Sequence, residues 1–343
     1  MGAQHTELTA GQQDARPGSQ AIGQAMEQIE KALLGGPRRY NRIEAAAAAG
    51  VSLDRGERIW LALGFADVDD DAKVFTDGDI EALRAWDSLI ASGTIQIQDE
   101  VPHVRAIGQT MSRLADWQVR ELMTRIAGAA GDAEMARAAA AEMTGTLLPV
   151  VERLMSYTWR RHIVAAAGRI LGSSPDQLST ATVVVGFADI VGYTSTVRHS
   201  DVDELARLLE SFEKDAADTV VSNHGRVVKS LGDEVLFVAD TARDAAEIAV
   251  RLSDPARPSR GLAELRVGMA LGQVLTRFGD VYGPTVNLAS RLTSLARPGA
   301  VLVDRELAQA LRQEDAYRLH PRRPATVRGY HHLRSWSLRP RTR

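Results

Sequence analysis

Two carboxylates stand out by position. Asp189 closes the short apolar run Val183-Val184-Val185-Gly186-Phe187-Ala188, and Asp233 lies in the tight connection Ser230-Leu231-Gly232-Asp233-Glu234. A carboxylate at a strand end, beside another in an adjacent hairpin, can hold a hard divalent cation whose shell is completed by phosphate oxygens. Two such cations would activate a hydroxyl and stabilise a pyrophosphate leaving group. The structural alternative is that Asp189 caps a helix and Asp233 serves its turn. A second cluster runs from Asp280 to Arg291. From Pro284 it reads as a helix, so Asn287 and Arg291, four residues apart, project from one face. A neutral donor/acceptor and a permanent cation one turn apart suit a ribose or polyphosphate. The alternative there is a solvated helix face with an incidental arginine.

These residues need an alternating strand and helix framework, and the second half of the chain supplies one. Residues 183–188 read as a strand buried on both faces. Residues 201–222 form an amphipathic helix pattern with Val202, Leu205, Leu208, Leu209, Phe212 and Ala216 on one side, and Ser200 with Asp203 as its capping signature. Arg226–Lys229 and Glu234–Ala239 read as a hairpin. A helix follows at 241–252, strands near 265–271 and 274–278, a helix from Pro284, a strand at 301–303, a helix at 304–312 and a final hairpin over 327–338. The first half is helical throughout from about 21 to 170, after a polar segment at 1–20 expected to be disordered. The sequence Gly-Ser-Ser-Pro at 172–175 breaks the last helix, and the stretch to Thr180 reads as a linker.

Composition narrows the setting. The 343 residues suit two domains, and a net charge of −3 exerts no general pull toward nucleic acid or anionic membrane. The absence of cysteine excludes disulfides and thiolate metal sites. No apolar run reaches the roughly 20 residues of a membrane span, and the N-terminus lacks the apolar core of a signal peptide. A cytoplasmic protein is expected, with at most a peripheral membrane contact. The tail from Arg318 carries eight arginines and no acid. It reads as a solvated terminal hairpin, although such a tail could touch an anionic surface.

The two clusters also carry a resemblance. Phe187-Ala-Asp-Ile-Val-Gly-Tyr-Thr194 resembles the opening motif of the class III adenylyl and guanylyl cyclases. Lys229-Ser-Leu-Gly-Asp-Glu234 is similar to their second motif, and Asp280 through Arg291 to their third. The resemblance covers about 180–318. It implies an α/β (α+β) ferredoxin-like βαββαβ catalytic domain, from about 181 to 343, preceded by an all-α regulatory domain. It implies that Asp189 and Asp233, with the backbone of Ile190, bind two Mg²⁺ or Mn²⁺ ions per site. It further implies that Lys229 and Asp280 select the purine, that Asn287 orients the ribose and that Arg291 serves the transition state. Nothing departs from that six-side-chain pattern. The implied substrate is ATP, the implied product cyclic AMP, and the implied assembly a homodimer whose sites combine residues of both chains. The choice of base has its own logic: lysine only donates and carboxylate only accepts. Together they complement adenine, whereas guanine presents the reverse pattern.

The N-terminal half holds no catalytic constellation. Residues 40–94 resemble the winged helix-turn-helix of the MerR family, which suggests DNA. Between 37 and 94, however, seven Arg/Lys stand against eleven Asp/Glu, whereas a phosphate-binding surface should be basic. A recruited helical scaffold is the better expectation. The half as a whole, about 21–143, resembles the helical regulatory domains of certain actinobacterial cyclases, some of which respond to pH or fatty acids. A fatty acid or other lipid is the ligand this implies, against a dimerising, inhibitory domain with no ligand. Residues 144–180 would transmit the signal as a linker helix and hinge. Within them His162, crowded by Arg153, Arg160, Arg161 and Arg169, would resist protonation and could tune a pH response, against the plainer and better expectation of a surface histidine with no role.

Overall fold

The computed structural model describes residues 27, 29–128, 133–170, 180–193, 197–198, 200–254, 264–327 and 329–341. The expected disorder at 1–20 and the helix break at 172–175 lie outside these residues. The chain divides into two compact units, Met1–Ala166 and Ala167–Arg343.

The first unit is helical. Helix α1 (Arg42–Ala49) begins in a capping box of Asn41 with Glu44 and ends at Gly50, whose φ of 80° is a left-handed conformation that glycine adopts without penalty. After this tight turn Ser52 caps α2 (Leu53–Ala62). Thr76 and Asp79 form a second capping box that opens α3 (Asp77–Ala91). A backbone bridge between Tyr40 and Phe75 ties the ends of this subdomain together. Its small core is Ala45, Ala49, Phe75 and Ile80. The long α4 (Glu100–Gly128) docks on α2 through Ile59, Ala62 and Val104. Helix α5 (Ala133–Glu142) runs through a π-helical turn at Met143–Leu147 into α6 (Leu148–Ile170). No helix among the described residues is long and apolar enough to cross a membrane.

The second unit is built on an eight-stranded sheet. Strand β1 (Thr180–Ile190) lies between β3 (Glu234–Ala239) and β4 (Leu265–Arg277), antiparallel to both, and β2 (Gly225–Leu231) flanks β3. With α7 (Val202–Ser222) after β1 and α8 (Ala242–Leu252) after β3, this is the βαββαβ arrangement expected. The sheet continues from β4 through β6 (Val301–Val303) and β10 (Trp336–Pro340) to β7 (Tyr317–Pro321), and β5 (Asp280–Tyr282) pairs with the end of β4.

Strand periodicity sorts β1 onto two faces. Val184, Ala188 and Ile190 pack with Phe212 of α7, Ile248 of α8 and Leu307 of α10 (Arg305–Ala310). Val183, Val185 and Phe187 turn the other way, toward Ala289 of α9 (Pro284–Leu295). Helix α9 lies very close to β4 because glycine permits it. A Cβ on Gly268 would stand 2.1 Å from the Thr293 nitrogen, and one on Gly272 would stand 2.7 Å from the Thr285 hydroxyl.

Three sequence expectations need correction. The region 265–278 is one strand with a separate β5, not two strands parted near Gly272. Glycine reads as a break in sequence, but here it marks the place where a helix presses on an unbroken strand. The N-cap of α7 is Asp201, which accepts from the Glu204 N–H, rather than Ser200. The tail is not a single hairpin over 327–338: β8 (Ala325–Val327) pairs with β9 (Tyr330–Leu333), while β10 joins the main sheet between β6 and β7.

Candidate active site

Asp189 and Lys229 lie on the α9 face of the sheet, and Asn287 and Arg291 lie on α9 itself. Asp189 follows Phe187 in the alternation of β1 and is directly opposite Glu234 on one side and Arg266 on the other. It is 8% exposed, and the Arg266 Nε donates to its Oδ2 over 2.6 Å. Asp233 is brought beside it by a two-residue turn between Leu231 and Glu234, in which only Gly232 has positive φ, the pattern of a type II′ hairpin. The turn is fixed to the end of β1 because the Ile190 N–H donates to the Asp233 carbonyl over 2.9 Å.

This corner is short of positive charge. Burial raises the Asp189 carboxyl; Arg266 pulls it back and Asp233 adds to the rise, leaving it above the ordinary aspartate range. Glu234 is pushed up to about 7 by burial and by the charges of Asp189 and Asp233. The repulsion among these carboxylates is the part of the shift that a bound cation would relieve. Among the described residues no group of three or more His, Cys, Asp and Glu side chains is arranged to hold a metal alone. Carboxylate and backbone carbonyl oxygens are the donor type that suits a hard cation which keeps further positions for phosphate oxygens.

Lys229 reaches the same face through a bulge. Val227 is opposite Phe237 but Lys229 is opposite Leu236, so β2 carries one extra residue at Val228. Phe237 belongs to the α7–α8 side and Leu236 to the α9 side. Without the bulge, Lys229 would share the face of Val227 and point away from the site. As it stands, the Lys229 Nζ donates to Asp280 Oδ2 over 2.6 Å, and Asp280 Oδ1 accepts from the Val281 N–H over 2.8 Å. Burial raises the Asp280 carboxyl, but the Lys229 ammonium and the Val281 N–H outweigh it and hold it below the usual aspartate range. Asp280 therefore stays an acceptor beside a lysine donor.

Helix α9 presents the last two residues. Thr285, Ala289, Leu292 and Thr293 form its buried side, and Asn287 lies exposed one turn from Arg291 on the other. The Arg291 Nε is buried and has no hydrogen-bond partner. A buried guanidinium nitrogen without an acceptor is costly to leave unsatisfied. Sequence reasoning missed Arg266. Its only signal was one charge inside the apolar run Leu265-Arg266-Val267-Gly268-Met269, on the face opposite the core.

Comparison with known proteins places the chain among relatives. The family model for the adenylate and guanylate cyclase catalytic domain matches residues 176–340. An adenylate cyclase of Streptomyces coelicolor is 41% identical over 304 residues, covering 88% of this chain and 79% of the relative. One from Streptomyces griseus is 42% identical over 284 residues, covering 82% and 71%. One from Glutamicibacter nicotianae is 34% identical over 338 residues, covering 93% and 83%. These matches extend through the helical half as well as the sheet. The chain belongs to the class III adenylate and guanylate cyclase family.

Proposed function

We propose that this adenylate cyclase converts ATP to 3′,5′-cyclic AMP and pyrophosphate at two equivalent sites of a homodimer, each built from both chains. The observation that carries the choice of base is the Lys229–Asp280 pair, a fixed donor beside a fixed acceptor matching N1 and the 6-amino group of adenine. Asp189, Asp233 and the Ile190 carbonyl would hold two Mg²⁺ or Mn²⁺ ions. Those ions would supply acidification of the ribose 3′-hydroxyl and charge neutralisation on the phosphates. Asn287 orients the ribose so that the hydroxyl attacks the α-phosphorus in line. Arg291 would bring its guanidinium to the phosphate oxygens as negative charge grows there. Arg266, beside Asp189, is a further cation for the polyphosphate.

In the dimer, Asp189 and Asp233 of one chain face Lys229, Asp280, Asn287 and Arg291 of the other, related by a two-fold axis. Support for pairing comes from α6 and the π turn before it. Leu147, Val150, Leu154 and Tyr157 follow three- and four-residue steps, Val164 lies seven residues further on, and each of the five is between 44% and 67% exposed. Such a stripe fits the seam of a two-helix coil with a second copy. We assign 21–143 to regulation, 144–180 to transmission and 181–343 to catalysis, working in the cytoplasm where ATP is available. The candidate regulators are a lipid or other amphiphile held among the N-terminal helices, and pH.

Mixing an inactive Asp189→Ala chain with an inactive Arg291→Ala chain tests the composite site. Heterodimers should recover about one competent site in two. Confirmed heterodimers with no recovered cyclic AMP production would refute shared sites. Product analysis with ATP and GTP tests the choice of base.

A further inference from the structure

The helical unit contains a cavity of about 270 Å³ beneath the helix-turn-helix. That is nearly twice the roughly 150 Å³ apolar cavity that takes up benzene. Its walls include Trp60, Phe65, Phe75, Leu83 and Trp86. Trp60 packs edge-on to Phe75 at 4.6 Å and tilted on Phe65 at 4.3 Å, so the aromatic wall is continuous. Leu53, Phe65 and Ile107 border the cavity and remain 38–50% exposed, leaving apolar surface in water that a ligand would cover. The charged groups along the cavity are Arg42, Glu57, Asp67 and Asp79, three carboxylates to one guanidinium. Arg42 is already engaged by Asp70, by Asp67 at 3.4 Å and by Glu57 at 3.6 Å. A ligand carboxylate would have to compete with three protein carboxylates for that arginine and would be repelled by the rim.

We infer that this cavity binds a small hydrophobic cation, an aromatic or short aliphatic group bearing an ammonium, with the apolar body among Trp60, Phe75 and Trp86 and the charge toward Glu57 and Asp67. Cation–π attraction to the indole faces adds to the preference. The site has a route to the rest of the unit. Trp86 donates from Nε1 to Glu100 Oε1 over 3.3 Å, and Glu100, 2% exposed, is the first residue of α4. Arg55 of α2 grips the same carboxylate with Nε and a terminal nitrogen at 2.7–3.2 Å. A ligand that shifts the Trp86 ring therefore acts on the junction of α2, α3 and α4. The effect on turnover rests on the regulatory reading above; the binding does not.

Three probes of similar size with a phenyl ring on a three-carbon chain test the inference on the full chain: 3-phenylpropan-1-amine, 3-phenylpropan-1-ol and 3-phenylpropanoate. Binding is followed by calorimetry and by tryptophan fluorescence. The amine should bind about five-fold more tightly than the alcohol, with the carboxylate weakest. Glu57→Gln should erase most of that advantage while leaving the alcohol unchanged. Ala82→Phe, a substitution at an exposed wall position, should block all three without unfolding the protein. Equal or tighter binding of the carboxylate would overturn the charge assignment. Failure of all three probes, or unchanged binding in Ala82→Phe, would overturn the site. Amine binding that leaves cyclic AMP production unaltered would refute the regulatory reading while the pocket stands.

Discussion

Arg266 and Asp189 illustrate how one side chain serves both stability and chemistry. Asp189 is nearly buried, and its described cationic partner is Arg266. Replacing Arg266 with alanine leaves a buried carboxylate without its charged donor, which costs about 1–3 kcal/mol. In metal-free buffer Arg266→Ala should lower the unfolding free energy by that amount, and Mn²⁺ should restore more stability to the variant than to wild type. Equal metal responses in the two proteins would count against a cation at Asp189. Turnover at fixed Mg²⁺–ATP should fall about ten- to hundred-fold, with the charge at the polyphosphate lost.

Asp304 shows a different use of a buried carboxyl. It is 2% exposed, caps α10 through the Leu307 N–H at 3.0 Å and accepts from the Leu271 N–H at 3.2 Å. Burial, reinforced by Glu306, pushes its pKa up to about 7. Because the folded state binds this proton more tightly than the unfolded chain, the contribution is fullest below about pH 4 and is lost as pH rises through 7. Wild type should lose urea resistance between about pH 4 and 7 through this group. Asp304→Asn, which keeps an acceptor and removes the titration, should flatten that slope; an unchanged slope would show that the proton lies elsewhere.

At the scale of elements, the site depends on how closely α9 lies on β4. The Cβ of alanine at Gly268 would collide with backbone at Thr293, and backbone cannot rotate aside. Gly268→Ala should therefore destabilise by about 3 kcal/mol. It should also depress activity in whatever fraction remains folded, because Asn287 and Arg291 ride on the helix that must lift. A variant of wild-type stability and turnover would contradict the packing described. Sequence patterns revealed β1, the β2–β3 hairpin and α9, the elements that carry the candidate residues. They did not reveal the bulge at Val228, because Arg226-Val227-Val228-Lys229 contains nothing to mark an extra residue. Only pairing with Val238, Phe237 and Leu236 shows which of these residues is skipped. The same holds for β4, where Gly272 looked like an end and proved to be the footprint of Thr285.

At the scale of the molecule, the exposed stripe ending at Val164 and the proposed division of the site between chains lead to one expectation. A charge within the stripe, as in Leu154→Glu, should weaken self-association by at least ten-fold, at about 1.4 kcal/mol per decade. Specific activity should then rise with protein concentration, since a lone chain lacks half of each site. Sedimentation velocity combined with activity across a dilution series would check this. A dimer of undiminished strength would show that the stripe faces something other than its own copy.

What the sequence determined alone was the inventory and order of the chemistry: two carboxylates, a lysine–carboxylate pair and an asparagine–arginine turn, each on an element whose type follows from local periodicity and turn residues. Those features depend on neighbours within a few positions, so they are written in a line of residues. What only the tertiary structure decided was convergence. Lys229 and Asp280 are 51 positions apart and meet at 2.6 Å. Arg266 reaches Asp189 across 77 positions, and the cavity of the helical unit joins residues from four helices. Such meetings depend on strand register, on one bulged residue and on glycines that let backbones touch, and these are set by packing between distant segments.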